Sequence, residues 1–467
     1  MADNTSRIMI TALRGGSGKT IITLGLTSTF INKNKKISTF KKGPDFIDAG
    51  WLTFASGSPC HNLDPFLMDE KAILSSMEKN SAGMDISLIE GNRGLFDGVD
   101  VNGQYSTAEL AKLTKSPVII VVDVTMCTRT VAALIMGCQH FDPDLKISGV
   151  ILNRVAGPRQ KNLIKRSIEK YCGIPVVGSI PKLKDNPFPE RHMGLVPHFE
   201  SSYASDAIDW ARSYVENHID TALIEDMARK ADPLPSSGMT LARTRENQSP
   251  LCRIGVIRDK AFWFYYPENI ELLKNLGAEI LEINSLSDAL LPDIDALYIG
   301  GGFPEVYAEE LSRNSSFRSS LKEMIENDLP VYAECGGLIY LGEGLEIKGK
   351  SYPMAGALPI KFIMEKKPQG HGYTILKVCS PNPYYETGET VKGHEFHYSR
   401  PVLTDGEKIT AVFDVEKGFC LDGKKDGFCR KNLFATYTHI HAAGNRSWGE
   451  GLFNAAMHYK GACEKKY

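Results

Sequence analysis

The stretch Ile8-Met9-Ile10-Thr11-Ala12-Leu13-Arg14-Gly15-Gly16-Ser17-Gly18-Lys19-Thr20 decides how this chain is read. Its apolar and β-branched start predicts a buried strand, glycines then break the chain, and the spacing over 20–33 predicts a helix. In that context the backbone N–H groups of Gly15, Gly16, Ser17 and Gly18 can converge on phosphate oxygens. Lys19 would neutralise the terminal phosphates, and the Thr20 hydroxyl would hold Mg²⁺. The strict motif has glycine where this chain has Leu13, so the loop is a deviant form, and ATP is the expected ligand.

Outward from the loop, strand-like runs over 37–40, 86–90, 118–124, 147–153 and 175–180 alternate with helical patterns over 107–115, 128–139 and 160–171. Such alternation predicts right-handed βαβ units and a doubly wound, mainly parallel α/β sheet. The pattern lapses around 232–250, and a second α/β alternation opens at 253–257, turning β-rich over 361–434. The domains expected are 1–235 and 251–467, joined by a linker over 236–250. At 467 residues the chain exceeds the ~100–200 residues that one core usually serves.

Fifty-four Lys and Arg against 56 Asp and Glu leave a net charge of −2, which gives no field for nucleic acid or an anionic membrane. No apolar run is long enough to span a bilayer. Ten scattered cysteines without a C-x-x-C pair argue against a zinc ribbon and a secreted disulfide framework. A cytoplasmic protein is expected.

A phosphoryl-transfer site needs carboxylates for its metal. Two strand ends supply them: Lys41-Lys42-Gly43-Pro44-Asp45-Phe46-Ile47-Asp48 and Glu90-Gly91-Asn92-Arg93-Gly94-Leu95-Phe96-Asp97-Gly98. In open parallel sheets such ends face the ligand crevice. Asn153, at another strand end, is placed to meet a purine edge or to cap the next turn.

In the second half, a strand over 330–333 delivers Glu334-Cys335-Gly336-Gly337 ahead of an apolar run. A cysteine on a tight strand-to-helix turn is exposed to substrate, and a helix N-terminus is expected to lower its pKa. The backbone N–H of Gly336 could serve an oxyanion hole, with a second donor from Gly300-Gly301-Gly302-Phe303-Pro304-Glu305. His439, in Tyr437-Thr438-His439-Ile440-His441, is the candidate base. His394 and His397 fall on opposite faces of a strand, which disfavours a shared metal site.

Taken together these segments resemble the cobyrinic acid a,c-diamide synthase family, whose members join a dethiobiotin-synthetase-like ATP domain to a class I glutamine amidotransferase domain. The resemblance is carried by residues 15–20, Lys41 with 43–48, 90–98, Ile151-Leu152-Asn153-Arg154-Val155, Glu190-Arg191-His192, 300–305, 333–337 and 436–441. It implies a P-loop NTPase-like parallel sheet followed by an amidotransferase-like sheet, in a carbon–nitrogen ligase using ATP, Mg²⁺ and L-glutamine. By the same resemblance Cys335 attacks glutamine with His439 as base, and Mg²⁺ lies near Thr20, Asp45 and Glu90. Asp48 and Asp97 orient a substrate acetate or stabilise ammonia, and Lys41 neutralises an acyl phosphate.

The wider amidotransferase class has glutamate two positions after the histidine. Here that place holds His441, so a third triad member is unassigned. The implied substrate is a tetrapyrrole polycarboxylate: cobyrinic acid first, with sirohaem, nickel sirohydrochlorin or hydrogenobyrinic acid as alternatives. Arg93 departs from the family's small or apolar residues there and could pair with an extra substrate carboxylate. A homodimer is one assembly left open. Two other readings, a partition-type regulatory ATPase and a biotin-pathway synthetase, leave the second half unused.

Overall fold

The computed structural model describes residues 5–182, 187–188, 190–191, 194–200, 203–239, 249–403 and 410–465. Residues 240–248 of the expected linker, and His192 of the Glu190-Arg191-His192 segment, lie outside that set. The chain forms two compact units, Met1–Leu241 and Ala242–Tyr467.

In the first unit, β1 (Arg7–Ala12), β2 (Ile37–Lys42), β3 (His61–Leu63), β4 (Ile86–Glu90), β5 (Val118–Asp123), β6 (Ile147–Val155) and β7 (Val176–Pro181) form one sheet in the order β3-β2-β4-β1-β5-β6-β7. Every pairing is parallel. Parallel strands are buried on both faces by their crossover helices, which is why β1, β2 and β4 are buried throughout. Each expected strand is present. β3 was not expected, because three residues are too few to show a period.

β1 lies between β4 and β5, where the strand order reverses, and there the crevice at the carboxyl edge opens. Register brings Lys41 beside Glu90 and Asp123 beside Asn153 on that edge. The far end of β1 is tied down by Arg7. Its buried guanidinium donates to the carbonyls of Thr114, Lys115 and Asp232, so a charge inside the fold has its hydrogen bonds met.

The second unit has a ten-stranded sheet. Its parallel half runs Ala278–Ile283, Cys252–Ile257, Ala296–Ile299, Val331–Glu334, Leu433–Thr436. An antiparallel half continues it through Lys425–Arg430, Thr410–Lys417, Gly370–Val378 and Thr390–His397 to His439–Ile440. This sheet curls back on itself: Ile440 N, in the last strand, donates to Glu334 Oε1 at 3.3 Å, near the middle of the order.

Helix Arg446–Glu464 covers one face, burying Trp448 against Tyr298 and Tyr332. Each such buried aromatic contributes roughly 1.5–3 kcal/mol of transfer free energy. Among the described residues no helix is long and apolar enough to cross a membrane.

Candidate active sites

The glycine-rich loop enters α1 (Lys19–Asn32) through Gly18, whose φ of 91° is left-handed, and no side chain caps the first turn. The uncapped N–H groups and the helix dipole are what a phosphate needs. A Cβ at Gly18 would sit 2.5 Å from Asn153 Nδ2, so glycine there lets Asn153 close against the loop. Asn153 Nδ2 donates to Ser17 O at 2.8 Å, and its Oδ1 accepts from Arg154 N at 2.9 Å. In this structure the amide grips the loop.

Sequence reasoning missed a neighbouring clamp. Asp123, at the end of β5, binds Arg14 Nη2 at 2.8 Å and Arg154 Nη1 at 2.6 Å, and Arg154 Nη2 also donates to Gly16 O at 3.0 Å. The rule that parallel strands end at the ligand edge, applied to 118–124, would have found Asp123.

Under the loop the expected residues come together. Thr20 Oγ1 donates to Glu90 Oε1 at 2.7 Å, while Lys41 Nζ bridges Glu90 Oε1 at 2.8 Å and Asp48 Oδ2 at 2.7 Å. Asp45 caps α2 (Phe46–Ser56) by accepting from Asp48 N at 2.9 Å. Lys19 Nζ donates to Arg93 O at 3.0 Å. Asp97 Oδ2 accepts from Gly94 N at 2.8 Å, tightening the turn that carries the exposed Arg93.

Burial lowers the pKa of Lys19, partly against the charge of Glu90. Burial also pulls Lys41 down, but Asp48 and Glu90 more than reverse it and hold its ammonium well above the usual range. Burial, then the charge of Asp48, raises Asp45 to about 7. Glu90 is raised by burial despite Lys41, whereas Asp48 is held low because Lys41 outweighs its burial.

Whether Mg²⁺ fits here can be read from Glu90. Its Oε2 is buried without a hydrogen-bond partner, and its Oε1 already meets the Thr20 hydroxyl. Among the described residues no three His, Cys, Asp or Glu side chains gather as a closed metal cage. Mg²⁺ bound with a nucleotide takes one or two protein oxygens plus phosphates and water, so this donor set fits it.

In the second unit, Cys335 sits between Val331–Glu334 and helix Gly336–Leu341 with φ 44° and ψ −96°, a strained conformation for a side-chain-bearing residue. Cys335 N donates to Thr436 O at 2.7 Å, which fixes the elbow beside the strand that leads to His439. The expected lowering of the thiol is not found. Burial pushes it well up, and the charges of Glu305, Glu334 and Glu395 add to that, outweighing the backbone hydrogen bond from Gly336.

Gly301 packs directly on the imidazole, since a Cβ there would lie 2.2 Å from His439 Cε1. A Cβ on Gly336 would lie 3.0 Å from Gly302 N, so the two expected oxyanion donors are neighbours. His394 stacks on His439 at 4.9 Å between centroids, and His397 on Tyr437 at 3.6 Å. Both histidines also have polar partners: His394 Nδ1 lies 3.3 Å from the Tyr266 hydroxyl, and His397 meets Ser399 O at 3.0 Å and Glu395 Oε2 at 3.3 Å. His439 Nδ1 lies 3.4 Å from Glu334 Oε2.

A strained cysteine elbow whose preceding glutamate lies beside an imidazole, in a chain that also carries a phosphate loop, fits a glutamine amidotransferase of the ligase class. Two family models match: the CobQ/CobB/MinD/ParA nucleotide binding domain over residues 8–196 and the CobB/CobQ-like glutamine amidotransferase domain over 253–447. Among curated relatives, a cobyrinate a,c-diamide synthase of Archaeoglobus fulgidus is 40% identical over 455 residues, covering 97% of this chain and 98% of the relative. Those of Magnetococcus marinus and Leptospira interrogans are 40% and 35% identical, covering 96% and 97% of this chain and 96% and 98% of the relatives. The chain belongs to the cobyrinate a,c-diamide synthase family.

Proposed function

We propose that this enzyme converts two acetate side chains of cobyrinate, a and c, to primary amides in the cytoplasm, using ATP and glutamine. A carboxylate resists ammonia because its charge repels nucleophiles and it has no good leaving group. Transfer of the ATP γ-phosphoryl group to a carboxylate oxygen releases ADP and gives an acyl phosphate. Ammonia then attacks the carbonyl carbon, inorganic phosphate leaves with that oxygen, and the amide remains.

Lys19 and the loop N–H groups would hold the β- and γ-phosphates, with Thr20, Glu90 and Asp45 as the magnesium-side residues. Bound Mg²⁺ supplies neutralisation of phosphate charge. Lys41 would stabilise the acyl phosphate, with Asp48 and Asp97 on the acetate or the incoming ammonia.

In the other unit, the Cys335 thiol gives its proton to His439 as Sγ attacks the glutamine amide carbon. The same proton passes to the departing nitrogen, releasing ammonia, and water hydrolyses the thioester to glutamate. The N–H groups of Gly302 and Gly336 would stabilise the oxyanion.

The observation that carries this reading is the half-satisfied Glu90 carboxylate, bonded through Oε1 to Thr20 and Lys41 and open at Oε2 beneath the loop. A regulatory ATPase would leave Cys335 and its imidazole without work. Mass spectrometry of a mixture of cobyrinate, hydrogenobyrinate, nickel sirohydrochlorin and sirohaem, incubated with ATP and glutamine, tests it. Two amide groups should appear on cobyrinate. Amidation confined to another member of the mixture would refute the substrate assignment.

A further inference from the structure

We propose that Glu334, the residue immediately before the nucleophile, is the positioning carboxylate for His439. The inference rests on the glutaminase roles given above to Cys335 and His439. Glu334 ends the strand Val331–Glu334 and is buried, and both of its oxygens face the 439–440 segment. Oε2 lies 3.4 Å from His439 Nδ1, and Oε1 accepts from Ile440 N at 3.3 Å. One carboxylate therefore lies within ion-pair reach of Nδ1, short of hydrogen-bond geometry, and accepts from the backbone beside the ring. Such contacts are often long before substrate binds and tighten in the reactive complex.

His441 stands where the wider class carries glutamate, and it is turned to other partners. Its Nδ1 accepts from Ala443 N at 3.2 Å, its ring lies 4.4 Å from Tyr266, and its Nε2 is 3.6 Å from Glu268 Oε2. The groups around His439 are consistent with one acid–base couple. His394, stacked on it, is kept neutral by burial, and the other faces are lined by Phe264 and Gly301. Glu305 and Glu395 bear on Cys335.

With Nδ1–H donated to Glu334, Nε2 is the nitrogen left to take the thiol proton. The carboxylate then stabilises the imidazolium that forms. Because Glu334 is adjacent in sequence to Cys335, the elbow that places the nucleophile also places the group that orients its base.

The test is Glu334→Gln in the full chain. Glutamine-driven kcat should fall about a hundredfold, with KM for glutamine changed little and ammonia-driven amidation retained. The acidic limb of the kcat/KM profile should move to lower pH, because the imidazolium loses its anion. A kcat within threefold of the parent, or a loss confined to KM, overturns the proposal.

Should the variant fold poorly, ¹⁵N-histidine NMR of the parent chain decides, with His439 assigned by its substitution. Neutral His439 must carry its proton on Nδ1, and the Nε2–H tautomer overturns the proposal. Failure of the parent to amidate cobyrinate with ammonia would remove the substrate assignment alone. Glutamine hydrolysis and the tautomer would still judge Glu334.

Discussion

The two sites of this chain handle charge in opposite ways. Beneath the phosphate loop, Lys41 is clasped by Asp48 and Glu90, which hold its ammonium charged, and Lys41 in turn holds Asp48 ionised. Around Cys335 burial dominates: the thiol is pushed up and His394 is pushed down. The first arrangement suits a reaction that gathers several phosphate charges, which fixed countercharges stabilise without reorganisation. The second suits a proton shuttle, in which charge should appear only once substrate is in place.

The contrast is broken most directly by Cys335→Ser. Glutamine-driven amidation should drop by on the order of 10⁴-fold or more, while ammonia-driven amidation continues. Equal loss of both rates would mean that the sites are not chemically separate.

Lys19→Ala should act from the other side. It should reduce amidation on the order of a thousandfold with either nitrogen source, while glutamine hydrolysis by Cys335 persists. Unaffected amidation would remove the loop from the mechanism.

Glu90→Gln sharpens the electrostatic half. The magnesium concentration for half-maximal ammonia-driven rate should rise by at least about tenfold, because the open oxygen no longer carries charge. An unchanged magnesium titration would make Glu90 a purely structural partner of Thr20 and Lys41.

The last effect is on stability rather than rate. Asp45 is raised to about 7 in the folded chain, so its contribution is fully present below the unfolded carboxyl value and is lost as pH rises through about 7. Asp45→Asn keeps a good helix cap and removes that loss. In chelator without nucleotide, the variant should be more stable than the parent at pH 8 by up to about 4 kcal/mol and no different near pH 4. Equal stability shifts at both values, read by thermal melts, would contradict the buried-charge account.

Much of the first site was legible because its parts sit on strand ends that announce themselves. The runs over 8–13, 37–40 and 86–90 are short and rich in apolar or β-branched residues, and the acids lie at or just past their ends, so one topological rule gathers them. Cys335 was legible for the same local reason.

The Glu334–His439 pairing was not, since it depends on a sheet whose tenth strand returns to its fourth across more than a hundred residues of chain. No periodicity encodes that return. The pKa of Cys335 misled for a related reason: a strand-to-helix turn suggests a helix field, but burial depth is set by tertiary packing. Asp123 and Arg154 could have been found, whereas the left-handed turn that aims Arg154 at the loop has no sequence signature.

The central claim is that a carboxylate oxygen leaves with phosphate and is replaced by the amide nitrogen of glutamine. Cobyrinate carrying ¹⁸O in its side-chain carboxylates, incubated with ATP and [amide-¹⁵N]glutamine, tests it in one mass-spectrometric measurement. The account predicts ADP, one ¹⁸O atom in the inorganic phosphate for each amide formed, and ¹⁵N in the product. Unlabelled phosphate alongside ¹⁵N-amide would contradict it.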